Sequence, residues 1–380
     1  MSIYLDHTAS ARPTPAVLAT YGRQLAEVYA NPSSPHQAGR AAEKALLDAR
    51  GRIAKSLGCV PAALILTSGG SESINMALKG CLLRPARLPR RLLISQGEHA
   101  AAWETAAWLE TQGCAVERLP LTRSGVVDPD AFAAALSEPA GLISLILVNN
   151  ETGAINDVAG MVALRDKLSP RTPIHLDAVQ AWGKIPLGFD ASGVDLMSGS
   201  GHKLGAPKGI GWLLRQPRCR LDPLVHGGGQ QNGWRAGTEN PPLAAALALA
   251  LEEACVGLEP LARTARELSE RLLAELDAAG TRYTILSPPV RAWPILAIAF
   301  AGLRGETLVN ALSAESIYIA SGSACSSRRS KGNRVLAAMG YDAETVLGAV
   351  RISFALSNTT DEIREAARAI NTAWHRLARP

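Results

Sequence analysis

The sequence predicts an α/β protein: a large domain built on a mostly parallel sheet, followed by a smaller α+β domain at the C-terminal end. Short apolar runs of β character alternate with helical patterns through the first half of the chain, and that rhythm belongs to strands joined by covering helices. The rhythm breaks at a Gly-rich stretch, 226–237, beyond which a long amphipathic helix and a few short strands follow. At 380 residues with 47% hydrophobic side chains, the chain is long enough to build two cores.

The elements follow in order. A strand over 64–67 precedes a helix from Ser71, one over 91–95 precedes a helix from Glu98, and one over 142–148 precedes a helix from Asn156. Further strands are expected at 173–176, 194–197 and 209–214. The apolar run 241–251 is too short to span a bilayer and is followed at once by Glu252 and Glu253, so it reads as a buried helix. Next, Leu261, Ala265, Leu268, Leu272 and Leu276 fall on one helical face, with Gly280 in the C-cap position. Strands near 295–300, 316–319 and 350–354 and an amphipathic helix from Thr360 complete the chain. The expected division is 1–255 and 256–380, with residues 1–15 open to packing against the second unit.

Composition excludes several classes. A formal charge of +5 without any long Lys/Arg block makes no case for nucleic acid, although it permits an acidic ligand. The cysteines at 59, 81, 114, 219, 255 and 325 form no C-x-x-C pair, which argues against structural zinc and against a disulfide framework. No bound metal is expected. The start, Met1 to Asp6, has neither a basic leader nor an apolar core, and no segment reads as membrane-spanning, so a cytoplasmic protein is expected.

Three segments carry chemistry. Thr67 to Ser73, TSGGSES, follows a strand and opens a helix, so backbone N–H groups and small hydroxyls converge at a helix N-terminus suited to phosphate. The G-x-x-x-x-G-K-[ST] spacing is absent, and an ordinary Gly-rich turn remains open there. Asp177, in HLDAVQ, lies at the C-terminal end of a strand, the edge at which open α/β sheets bind ligands. It could pair with a pyridinium nitrogen or simply cap a helix. Lys203, in SGSGHK, is either a solvated lysine or, in a desolvated pocket beside other cations, an amine able to form a Schiff base.

Together with GEH (97–99), VNNETG (148–153), HGGGQQNGWRAGT (226–238) and SGSAC (321–325), these segments resemble the cysteine desulfurases of the NifS/IscS type. The resemblance runs from YLDHTAS (4–10) to VRISFALSNTT (350–360) and so covers nearly the whole chain. It implies the fold-type I architecture of pyridoxal-phosphate-dependent class V aminotransferases, pyridoxal 5'-phosphate as cofactor, L-cysteine as substrate and a homodimer. Lys203 would be the Schiff-base lysine, Asp177 the partner of the ring nitrogen and His99 the proton shuttle over the ring. Asn150 and Gln180 would bond the ring oxygen and its surroundings. Gly70, Ser71, Ser200 and His202 would hold the phosphate, with Thr238 supplied by the second subunit. Arg351, supported by Asn31, would clamp the substrate carboxylate through its planar guanidinium.

Cys325 narrows the class. It lies in a polar Ser/Gly loop that suits a nucleophile, and only its thiolate attacks, so a base or positive neighbours such as Arg328, Arg329 and Lys331 would serve it. The implied reaction converts L-cysteine to L-alanine, leaves a persulfide on Cys325 and passes sulfur to a protein acceptor, for iron–sulfur assembly, tRNA thiolation or another product. A selenocysteine lyase or another class V enzyme would share Lys203 and Asp177 but need not have the SGSAC loop. A non-catalytic sulfur-acceptor docking protein would be expected to have lost Lys203 or Cys325. His7 and the basic run after Cys325 depart from the family pattern, and the longer tail through which housekeeping members dock a scaffold does not follow the last helix.

Overall fold

The computed structural model describes residues 2–84, 89–321 and 333–378. After β1 (Ile3–Tyr4) come α1 (Pro15–Glu27) and α2 (Gln37–Ser56). The alternating part then runs β2 (Leu64–Thr67), α3 (Gly70–Leu82), β3 (Arg91–Ser95), α4 (Ala100–Thr111), β4 (Ala115–Leu119), α5 (Pro129–Ala135), β5 (Leu142–Ile146), α6 (Val158–Leu168) and β6 (Ile174–Asp177). Two strands, β7 (Leu196–Ser200) and β8 (Gly211–Arg215), close the large sheet before α7 (Pro241–Val256).

The strand order is β2-β8-β7-β6-β5-β3-β4. β4, β3, β5, β6 and β7 run parallel to one another, whereas β8 runs antiparallel to both β2 and β7. The expected mostly parallel sheet is present, with one reversed strand. Every residue of β2, β5, β6 and β7 is buried, which is why these strands read as continuous apolar runs. α4 starts later than expected from Glu98, because His99 caps it: its Nδ1 accepts the N–H of Ala101 at 3.1 Å. α7 is mostly buried from Pro241 to Leu251, its last turn reaches solvent, and it packs against α1 and α2. No single helix among the described residues is long and apolar enough to cross a membrane; only α7 with α8, bent by 64°, would pass by length and composition together.

The C-terminal part comprises α8 (Leu258–Ala278), β9 (Tyr283–Ile285), β10 (Ile295–Phe300), α9 (Gly305–Ala314), β11 (Ile317–Tyr318), β12 (Ala320–Ser321), α10 (Arg334–Ala338), α11 (Ala343–Gly348), β13 (Ala349–Ser353) and α12 (Thr360–Leu377). Gly280, at φ 71°, takes the left-handed turn after α8 that its sequence position suggests. The antiparallel sheet β12-β13-β10-β9 and the apolar faces of α8, α9 and α12 enclose a core of its own, including Leu272, Ile298, Ile352, Ile370 and Trp374. Ile3 and Leu5 also belong to that core. β1 pairs in parallel with β11, and Asp6 bridges to Ser353, so the N-terminal segment lies against the C-terminal sheet.

Candidate active site

The strand ends that carry the motifs meet at the C-terminal edge of the large sheet. β2 leads through Thr67, Ser68 and Gly69 into α3, and Thr67 Oγ1 and Ser73 Oγ lie 2.7 Å apart and tie the turn down. Ser200, at the end of β7, closes on the same turn: a Cβ on Gly70 would stand 3.5 Å from Ser200 Cβ and 2.8 Å from Val179 Cγ2. Gly70 is therefore required where three segments converge. The arrangement leaves the N-terminus of α3, with Ser71 exposed, as an anion cradle.

Asp177 ends β6 and is 2% exposed. Its Oδ1 accepts the N–H of Val179 at 3.0 Å, yet burial pushes its carboxyl up to about 6, against the opposing pull of that bond and of Lys203. Beside it, Glu98 is fully enclosed and lies well above the usual carboxylate range, first through burial and then through Asp177. Glu98 Oε1 accepts the N–H of Ile146, which is the sheet neighbour of Asp177, while its buried Oε2 has no hydrogen-bond partner.

His99 stands next to Glu98. Burial, then Lys203 and Arg334, push its imidazole down to about 4, so it is neutral at pH 7. Because Nδ1 accepts a backbone N–H, the proton of the neutral ring lies on Nε2. Lys203 follows β7 in a short turn, and its Nζ donates to the carbonyls of Thr8 at 3.0 Å and Ala9 at 2.9 Å. Its charge is felt by His99, Asp177, His202 and Lys184. His202, also pushed down to about 4 by burial and by three lysines, lies 3.3 Å from Ser10 Oγ through Nδ1. Gln180 gives its Nε2 hydrogen to Thr8 O at 3.0 Å, whereas its buried Oε1 is unpartnered.

Arg351, on β13, is 8% exposed. Its Nη2 donates to Asp6 Oδ1 at 2.9 Å and its Nη1 to Asn150 O at 3.0 Å. Asn150 turns its side-chain amide onto Glu151 Oε1, which also lies 3.8 Å from Arg351 Nη1. Asn31 lies between α1 and α2 with Oδ1 accepting from Ser33 N, and no hydrogen bond joins it to Arg351 among the described residues. Thr238 is exposed at the far end of the Gly-rich stretch. Cys325, with Arg328, Arg329 and Lys331, lies outside the described residues.

Sequence reasoning missed the segment that binds these groups together. Residues 6–10 reach Arg351 through Asp6, Gln180 and Lys203 through Thr8 O, and His202 through Ser10. YLDHTAS was visible, but its partners are scattered over the chain. His7, unexplained in the sequence, packs edge-on to the Tyr4 ring at 4.8 Å, and burial pushes its imidazole down. Lys184 was also missed: it is 9% exposed, its Nζ has no hydrogen-bond partner, and burial lowers it to about 7.

The chain matches the aminotransferase class-V family over residues 3–365. It is 34% identical over 364 residues to a cysteine desulfurase IscS from Methanosarcina thermophila, covering 95% of this chain and 89% of that protein. A solved NifS-like protein superposes with a TM-score of 0.93 at 33% identity, over 99% of this chain and all of that one. A structure of SspA in complex with cysteine aligns with a TM-score of 0.80 at 28% identity, over 93% of this chain and 99% of that one.

Proposed function

The chain belongs to the aminotransferase class-V family, and we propose how its residues perform the cysteine desulfurase reaction of the NifS/IscS type, in which L-cysteine becomes L-alanine. The observation that carries the reading is the grouping of Lys203 with a neutral His99 and a buried Asp177 beside an anion cradle. The family depends on pyridoxal 5'-phosphate, and the residues fit it. The turn 67–73 with Ser200 and His202 would hold the phosphate, Gln180, whose buried Oε1 has no partner, would bond the ring oxygen, and the buried Asp177 carboxyl suits a protonated ring nitrogen. Lys203 would hold the cofactor through its amine, and Asn150 would turn from Glu151 toward it.

When bound, pyridoxal phosphate supplies an electron sink for the pair released as the substrate α-proton leaves. The chain supplies the rest. Lys203 takes the α-proton, and the carbonyls of Thr8 and Ala9 release its amine to do so. His99, with its proton on Nε2, moves protons at the site, while Arg351 orients the substrate carboxylate. The Cys325 thiolate attacks the substrate sulfur; the substrate C–S bond breaks, its electron pair stays with the substrate carbon and Cβ takes a proton, a proton returns to Cα to complete L-alanine, and sulfur remains on Cys325 as a persulfide. A protein acceptor then removes that sulfur. The reading also includes the division at 255/256, supported by the separate C-terminal core, and a homodimer in which Thr238 serves the partner's site. The exposed Leu18, Leu25, Tyr29 and Leu47 of the α1–α2 region support the dimer.

Two variants test this. Lys203→Ala should lose the visible absorbance of the loaded enzyme and steady turnover, with borohydride labelling in the parent mapping to Lys203. Cys325→Ser should keep the absorbance and still bind L-cysteine, yet form no persulfide detectable by alkylation and mass spectrometry. Label on another lysine, or full sulfide release by Cys325→Ser, refutes the corresponding assignment.

A further inference from the structure

Arg351 is crowded with negative charge before any substrate arrives. Asp6 Oδ1 takes Nη2 at 2.9 Å, Asn150 O takes Nη1 at 3.0 Å, and Glu151 Oε1 stands 3.8 Å from Nη1. Nε is buried and has no hydrogen-bond partner. A carboxylate entering this site would be the third around one guanidinium. Either planar fork of the guanidinium, Nε–Nη2 or Nη1–Nη2, includes Nη2, which Asp6 already holds, and only the first also uses the unpartnered Nε.

The backbone of Asp6 leaves its side chain room to yield. The Asp6 carbonyl accepts from Tyr4 Oη at 3.0 Å and from Ala9 N at 3.0 Å, and the residue bridges to Ser353 on β13. These bonds hold the main chain against the C-terminal sheet, so rotation of the carboxylate need not disturb the carbonyls of Thr8 and Ala9. Glu151, the second carboxylate near Arg351, lies above its usual range through burial, against the opposing pull of Arg351.

We propose that Asp6 is a specificity-determining residue: it occupies Arg351 in the substrate-free enzyme and gives up Nη2 only to a ligand that brings a carboxylate of its own. This deepens the functional reading and rests on Arg351 as the carboxylate clamp. A thiol without a carboxylate leaves the Asp6–Arg351 pair intact. A thiol with one exchanges one charge-assisted hydrogen bond for two, and the pair with Asp6 sets the threshold for entry.

The test uses the loaded enzyme and two probes, 3-mercaptopropionate, which has the thiol and carboxylate, and 2-aminoethanethiol, which lacks the carboxylate. Asp6→Asn keeps the shape but removes the charge. It should tighten 3-mercaptopropionate, measured by calorimetry and as an inhibition constant, by about tenfold, the equivalent of one charge-assisted hydrogen bond. KM for L-cysteine should fall by a similar factor with kcat little changed, while 2-aminoethanethiol binds as before. Asp6→Ser should act in the same direction and covers the case in which Asn fails to fold. Arg351→Gln should abolish 3-mercaptopropionate binding; if it does not, the clamp reading itself fails. If Arg351→Gln abolishes binding but both Asp6 variants weaken 3-mercaptopropionate or leave it unchanged, Asp6 merely braces the arginine and the inference is overturned.

Discussion

Asp177 should destabilise the protein when no cofactor is bound, and the size of that effect follows from its surroundings. The carboxyl is 2% exposed and rises from 3.8 to about 6, with burial as the main cause. A group whose folded pKa is raised contributes its stability below the unfolded value and loses it as pH rises through the folded one. Asp177 is therefore tolerated at pH 4 as a neutral acid and strained above pH 6 as an ion. The gap from 3.8 to about 6 corresponds to about 3 kcal/mol at its plateau. Asp177→Asn has no proton to lose. In urea unfolding of the cofactor-free protein, the variant and parent should match near pH 4. The variant should gain between pH 4 and pH 6 and stay ahead by about 3 kcal/mol at pH 8. The same variant should bind pyridoxal phosphate more weakly, because the carboxylate strained in the cofactor-free protein is the one proposed to pair with the ring nitrogen. A stability difference that does not change with pH would refute the reasoning, as would a variant less stable than the parent at pH 8.

Two further outcomes follow. His99, held down to about 4, should add no inflection to the pH profile of kcat/KM near 6.5; an inflection there that vanishes in His99→Gln would contradict its neutral state. At the opposite edge of the sheet, the buried Asp195 accepts from Ile174 N, Arg165 Nη1 and Arg218 Nε. Asp195→Ala removes the buried partner of Arg165 Nη1, leaving only the exposed Asp166 on its Nε, and should lower stability by about 3 kcal/mol in chemical unfolding, with KM for L-cysteine unchanged.

The sequence was most legible where strands are covered on both faces. The runs at 64–67 and 91–95 coincide with β2 and β3 because nearly every residue there is buried. β4 was not foreseen: it lies at the sheet edge, its residues alternate between exposed and covered, and it carries Glu117 and Arg118. α2 was also passed over, since its buried stripe of Ala42, Leu46, Ala49 and Ile53 is narrow and interrupted by glycines. The reversed β8 had a readable cue. Only a short turn separates Ser200 from Gly211, too little chain for the crossover that a parallel neighbour needs. In the site, Asp177 and Lys203 stood out because each ends or follows a strand within a compact motif. Asp6 did not, because its meaning depends on Arg351, 345 positions away.

The strap of residues 6–10 also bears on the order in which the molecule assembles. A chain emerging from the ribosome can build the large sheet and bury α7 as soon as those residues exist, since domains form largely in the order of synthesis. Ile3 and Tyr4 must nevertheless wait for Ile317 and Tyr318, and Thr8 for Ser353. Until then the carbonyls that grip Lys203 and Gln180 have no anchor on the C-terminal side. Residues 3–10, made before the sheet, are thus among the last to settle, and a nascent chain lacking the C-terminal unit would own a formed sheet edge with its lysine ungoverned. Closing that long loop commits the enzyme to a complete C-terminal unit before its chemistry can begin.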